Sequence, residues 1–560
     1  LKIALSLNTG GSSYVASKIR EEVYRDDIFS SNIGYIFLHA KSKIEVGDIA
    51  RSKQMYDEIL SHQQSVNFSS ILWVSLFDRG RIAEIENNRI EAISFFKRAI
   101  DVIEQMRSSV NTEASKVGFV GDKQQPYQQL VKLLVAEDRT AEAFEYVERA
   151  HSRALVDLLA SRSNLATPTT DVKATSTMIT ALNQAEMDAL VLDKKPEGIT
   201  TQRSVVAEIR DRIKREAPEL ASLVTVSAPK ASDLQALVPL DETLIAYHLA
   251  GEDLYAFLVT RRAIEAVKLD GKDLAAAVGR FRAAVQNPNS TDSMTHARAL
   301  YNRLVAPLRS RISTERLVIV PHGVLHYLPF AALHSDNSYL IDDFSLRFLP
   351  SASVAQFLKA RRGGQETALV LGNPDLGDPK FALEHAEAEA QAVAATRPGS
   401  TVLVRKEASA TNFRQQAGNY RVVHFAGHAK FDATAPLESG LYMAAAHSQA
   451  GLVTVGDLYG MRLDADLVTL SACSTGIGKA ANGDEIIGLT RGFLYAGARS
   501  VVTSLWDVDD EATSNLMGRF YDLNRRMDYA EALREAQRAV KNRYPHPVYW
   551  AAFQVTGNGR

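Results

Sequence analysis

Cysteine occurs once in 560 residues, at Cys473. A lone thiol excludes an intrachain disulfide and suits a reducing, cytoplasmic setting. Long apolar runs are missing as well: no stretch approaches the ~20 residues that a bilayer-crossing helix needs. Neither sign of charge dominates. With 64 basic and 66 acidic residues the net charge is −2, so no global field draws the chain to nucleic acid or to a membrane. The opening "LKIALSLNTGG" lacks Met, and its apolar part is shorter than a secretory h-region of ~7–15 residues, so it reads as a start inside a domain. What is present is an ordinary globular composition, 46% apolar and 23% charged, on a length that predicts roughly two to four domains.

The first stretch, residues 1–165, reads as helix after helix. "GDIARSKQMYDEI" from Gly47, "NRIEAISFFKRAI" from Asn88 and "DRTAEAFEYVERA" from Asp138 each open on a turn-type residue. Apolar or small residues then recur three and four positions apart, as one buried helical face requires. Ala92, Ile93, Phe95, Phe96 and Ala99 align with Ala143, Phe144, Tyr146, Val147 and Ala150. Small residues let two helices approach closely while the aromatic fills the gap. The pattern resembles the second helix of tetratricopeptide (TPR) repeats, although the offsets, 88 − 47 = 41 and 143 − 92 = 51, exceed the usual ~34-residue period. Stacked repeats of this kind present a groove to a partner; an all-helical domain without a ligand is the plainer reading.

Residues 166–235 combine a Thr-rich stretch, "NLATPTTDVKATSTMIT", with charge-dense "VVAEIRDRIKREAPEL", which predicts a linker and an exposed helix or hairpin. Beyond them the pattern changes. "TLIAYHL", "LYAFLVT", "RLVIVP", "TALVLG", "RVVHFAG", "DLVTLSA" and "SVVTSLW" are short runs of β-formers, with helical stretches between several of them. Continuous apolar strands alternating with helices predict a mainly parallel sheet covered on both faces. Ligands of such sheets gather beyond the carboxyl ends of the strands.

Two strand ends carry reactive side chains. "VVHFAGHA" leads to His428 and "LVTLSAC" to Cys473, 473 − 428 = 45 residues apart. Neighbouring strands would set both side chains in one cleft, where an imidazole raises the thiolate fraction of a thiol of pKa ~8.5. Backbone N–H groups of Cys473 and Ala429 are the expected oxyanion donors, and His428 the group that protonates the leaving amine. Taken alone, Cys473 also reads as a small buried hydrophobe. Other chemistries lack their residues. "HFAGH" and "PHGVLH" (His322, His326) have histidines four apart without the glutamate of a zinc-protease helix. "GIGKAANG" completes neither a GxGxxG nor a P-loop, and Ser471 and Ser474 lack a GxSxG elbow. No metal or other cofactor is expected.

The phrases "VVHFAGHAKFD", "PLESGLYM", "LVTLSACSTGIG", "GDEIIGLTRGFLYAGARSVVTSLWDVDD" and "HPVYWAAFQVTG", in this order, resemble the CHAT domain, a caspase-related cysteine protease module often found behind TPR repeats. "AFEYVERAHSRALVDLL" is similar to the repeat that precedes such domains. The resemblance implies a caspase-like α/β/α fold over residues 363–560, with a Cys473–His428 dyad. It also implies a degenerate pseudo-caspase part over 236–362, as in separase. Ala429 stands where the family usually has Gly, which matters only if that position needs a positive φ. By the same resemblance the loop "SLWDVDDEAT" helps form the S1 pocket, with Asp507 the first and Asp510 the second acid for a basic P1 side chain; Asp509 or Asp510 capping the next helix is the structural alternative. The expected protein is thus a cytoplasmic cysteine endopeptidase with a protein or peptide substrate and a regulatory partner on its TPR-like repeats. A catalytically silent TPR-CHAT scaffold in signalling or defence is the rival. The loop through "GKAANGDE" is expected to order on activation.

Overall fold

The computed structural model describes residues 26–62, 68–108, 123–151, 229–358, 367–430, 438–446, 449–473 and 484–560. Residues 166–228 of the linker expected at 166–235, the end of the repeat-like phrase beyond His151 and the loop after Cys473 fall outside them. The chain divides into two compact units, 1–146 with 170–225 and 147–169 with 226–560.

The first unit is built from α1 (Asp26–Glu45), α2 (Ile49–Ser61), α3 (Ser69–Ile85), α4 (Arg89–Ser108), α5 (Gln125–Ala136) and the start of α6 (Thr140–Ala150). The three quoted segments are the second helices of three hairpins. Each follows a residue in the left-handed conformation: Gly47 at φ 79°, Asn87 at 57° and Asp138 at 56°. The residue after it donates its N–H back across the turn in every case, Asp48 to Lys43, Asn88 to Ala83 and Arg139 to Leu134. This is one helix-ending geometry used three times, with Gly, Asn or Asp where a Cβ must tolerate positive φ. The expected close approach is present. Gly80 of α3 lies against the Phe96 ring of α4, and an added Cβ there would come within 2.3 Å of it. Phe96, Ala92 and Ala99 are fully buried, as are Ala143, Phe144 and Val147.

Among the described residues the second unit carries a single sheet. Its strands are β1 (Glu242–Ala250), β2 (Asp253–Val259), β3 (Ile264–Asp270), β4 (Arg316–Val320), β5 (Ser345–Phe348), β6 (Ala368–Pro374), β7 (Thr401–Arg405), β8 (Val422–Lys430), β9 (Gly440–Ala446), β10 (Gln449–Thr454), β11 (Leu467–Cys473), β12 (Ser500–Ser504) and β13 (Phe553–Gly557). The order is β10-β9-β8-β11-β12-β13-β5-β4-β1-β2-β3, with β6 and β7 attached beside β8. Parallel pairs run through β6, β8, β11 and β12 and again through β5, β4 and β1, whereas antiparallel pairs close both edges and join β12 to β13. The strands of 236–362 and of 363–560 therefore form one surface. At their seam β13 and β5 share the one registered pair Thr556↔Phe348. Arg347 reinforces it, donating to Glu242 at 3.1 and 2.5 Å and to the Gly557 carbonyl at 3.0 Å.

Helices cover both faces, as the continuous apolar strands require. Side chains of α7 (Leu274–Gln286), α8 (Ser293–Leu304), α9 (Ala386–Ala395), α11 (Asp510–Leu523) and α12 (Tyr529–Arg543) share one core with Val422 of β8 and Leu467 of β11. The alternate residues Val423 and Phe425 are buried outside that cluster, as are Leu489, Phe493 and Leu494 of α10 (Asp484–Ala496).

Candidate active site

The site is built where β8 changes partner. Along Val422–Ala426 the strand is flanked by β6; from His428 to Lys430 it is flanked by β9 instead. The β6 chain leaves at a register break between Gly372 and Pro374, with Asn373 in the left-handed region at φ 47°. Asparagine tolerates that conformation better than most residues. His428 is therefore not the last residue of its strand, as the sequence reading has it: β9 captures two more, Ala429 and Lys430.

On the other side of β8 runs β11 in parallel register, and the final pair of that ladder is Cys473↔His428. The two residues singled out 45 positions apart thus occupy matched positions at the carboxyl ends of adjacent strands. The structure describes Cys473 through its main chain. His428 is buried, 3% exposed, and its Nε2 lies 2.6 Å from the Phe381 carbonyl. A carbonyl only accepts, so Nε2 carries a proton, and it is Nδ1 that is left to exchange one. Nδ1 has no partner among the described residues.

The segment that supplies this carbonyl is held at several points. Asn373 Oδ1 accepts from the Leu383 N–H at 3.0 Å, and its Nδ2 donates to Glu387 at 2.9 Å. Asp378 accepts from the Lys380 N–H at 3.1 Å. Asp510 Oδ2 accepts from the His385 N–H at 2.8 Å, tying the segment to the start of α11. Asp509 caps α11 by accepting from Ala512 at 2.9 Å, an ordinary N-cap. Asp507 is exposed on the same loop. Leu505 and Trp506 hold that loop, through the Arg282 guanidinium at 3.2 Å and the Val548 carbonyl at 3.1 Å. Ala429 has extended backbone within β8, outside the left-handed region, so replacing the family's Gly brings no strain.

Phe381 and Asn373 escaped the sequence reading, because a main-chain carbonyl acceptor has no side-chain signature. Only the Asn-Pro pair at Asn373, a turn signal at a strand end, marked the place.

Residues 295–558 match the sequence model of the CHAT domain family. Human and mouse tetratricopeptide repeat protein 28 are 28% and 27% identical over 324 and 325 residues, or 47% of this chain. The match spans only 13% of the length of either relative. Among solved structures the chain is similar to the Saccharomyces cerevisiae separase–securin complex, with 11% identity, a TM-score of 0.47, and coverage of 95% of this chain and 43% of that one. No helix among the described residues is long and apolar enough to cross a membrane.

Proposed function

We propose that the chain is a caspase-like cysteine endopeptidase in which Cys473 is the nucleophile and His428 its acid–base partner. The observation that carries this reading is the terminal Cys473↔His428 pair, together with an imidazole whose Nε2 is bound to Phe381. In the proposed reaction His428 Nδ1 takes the thiol proton and the sulfur attacks the scissile carbonyl carbon. The N–H groups of Cys473 and Ala429 receive the oxyanion, a contribution of ~3 kcal/mol for each donor. The Nδ1–H then protonates the leaving amine as the C–N bond breaks, leaving a thioester. Water gives its proton to Nδ1 and attacks the thioester; the carboxylic product leaves and the thiol regains its proton.

Asp507 is assigned to the S1 pocket, where its carboxylate would pair with a basic P1 side chain. Asp510, engaged by the His385 amide, is better suited to anchoring the Phe381 segment. The helical hairpins receive a regulatory protein or the substrate. A P1-resolved cleavage profile of wild type and Cys473→Ala tests the whole reading. Cleavage after Arg or Lys that vanishes in the variant is expected; cleavage that survives it removes the mechanism. If wild type neither cleaves nor reacts with a thiol-directed peptide electrophile, the silent scaffold is the correct reading.

A further inference from the structure

Three histidines that play no part in the dyad meet at the other end of the sheet. His151 follows α6, His248 lies in β1, and His322 follows β4. The ring centroids are 4.7 Å apart for His151–His322, 5.0 Å for His248–His322 and 5.6 Å for His151–His248. One nitrogen from each ring lies within 4.8 Å of the other two. No carboxylate belongs to the group. His151 and His248 are 5% and 0% exposed, whereas His322 is only partly buried.

We propose that His151, His248 and His322 form a binding site for a zinc-class transition-metal ion. Neutral imidazoles without oxygen donors suit zinc, copper or nickel and disfavour calcium and magnesium. The spacing fits. His248 Nδ1 and His151 Nε2 are 3.4 Å apart, long for a hydrogen bond between neutral rings. Two nitrogens bound to one tetrahedral zinc at ~2.0–2.1 Å must be about 3.4 Å apart.

Burial supplies the required protonation state. It holds His151 and His248 well below the ordinary histidine range and brings His322 down to about 4. All three lone-pair sets are therefore unprotonated at neutral pH. The groups facing them also include His326, neutral for the same reason, and Arg491, whose charge lowers His151 further. His151 Nδ1 and His248 Nε2 have no hydrogen-bond partner among the described residues. These are the ring nitrogens turned away from the 3.4 Å His248–His151 contact, so an ion held between the facing nitrogens leaves them as they are.

Two features set the strength of the site. His322 is the one partly exposed member of the three, so it is the side from which an ion and a water as fourth ligand would have to come. Its Nδ1, however, accepts the Leu249 N–H at 2.9 Å, so the ion must compete with that bond. The Arg491 charge opposes the ion as well. Affinity below that of a dedicated structural zinc site follows. The same stretch of chain has a second attachment: Glu148 accepts from the Ala352 and Ser353 N–H groups at 3.1 and 2.8 Å. A bound ion would add a further link, from residue 151 to β1 and to the turn after β4, beside the metal-independent one at Glu148.

The test uses the full chain with Cys473→Ser, so that the thiol cannot hold metal, stripped with chelator and then titrated with Zn²⁺ and Co²⁺. One equivalent of Zn²⁺ should bind, and Co²⁺ should give the intense visible absorption of a tetrahedral site. His322→Gln and His151→Gln should each weaken binding by about tenfold or more, since even groups that only support metal ligands cost 10–100-fold. Circular dichroism reports whether each variant is folded. If His151→Gln loses its native spectrum, the partly exposed His322 decides alone. Equal binding by the parent chain and by His322→Gln, or a weak octahedral cobalt spectrum, overturns the proposal.

Discussion

One sheet has two histidine-bearing ends, and they differ in what the neighbouring strands deliver. At β8 a single buried imidazole has one nitrogen tied to a main-chain carbonyl, and its registered neighbour is the chain's lone cysteine. At β1 and β4 the imidazoles have each other for company. Both ends lie where parallel strands stop and loops converge. On the readings proposed above, the residue on the adjoining strand decides between bond-breaking chemistry and ligand holding.

The sharpest way to break this comparison is Cys473→Ala. Peptide cleavage should fall by about 10³-fold or more, while the melting temperature and the zinc titration stay unchanged. A comparable loss of stability would mean that the thiol serves packing.

The seam between the ends is the next target. Glu242 is 2% exposed and Arg347 8%, and removing one partner of a buried pair leaves an uncompensated charge. Glu242→Ala should destabilise the chain by about 3 kcal/mol in denaturant unfolding. Little change would show that the Arg347 bond to the Gly557 carbonyl across the seam holds without Glu242.

Acid should separate the ends further. His322 and His326 are lowered from 6.5 to about 4 and about 3, so the unfolded chain binds protons that the folded one refuses. By linkage, stability is unaffected above pH 6.5 and is lost as pH falls from there toward 4. Glu148, raised by burial, works in the opposite sense but is a single group. Melting curves between pH 7.5 and 4.5 should show the transition moving down by several degrees in the wild type and by less in His322→Gln.

The smallest effect is expected at Asn373→Ala. It loosens the segment that presents the Phe381 carbonyl, and kcat/KM should drop by about tenfold or less, with the loss in kcat. An effect confined to KM would assign Asn373 to substrate binding instead.

Much of this was legible in the sequence, for physical reasons. β1, β2, β4, β6, β8, β11 and β12 are buried and announce themselves as apolar runs. β3 and β7 do not: they are largely half-exposed or exposed at the sheet's margins, and their alternation is diluted by polar residues. β5 has only four residues, too few for periodicity. The Cys473–His428 juxtaposition could be anticipated because strand ends are where parallel sheets gather reactive groups. The histidine cluster could not, since its members stand at 151, 248 and 322 and share no local spacing.

The exchange of β6 for β9 along β8 has a mechanical consequence. Gly427 is the first link of that strand released from β6 and His428 the first paired with β9, so a displacement of β9 would be felt at His428 before it reached Val422–Ala426. Amide exchange should register this as a step in protection between Ala426 and His428.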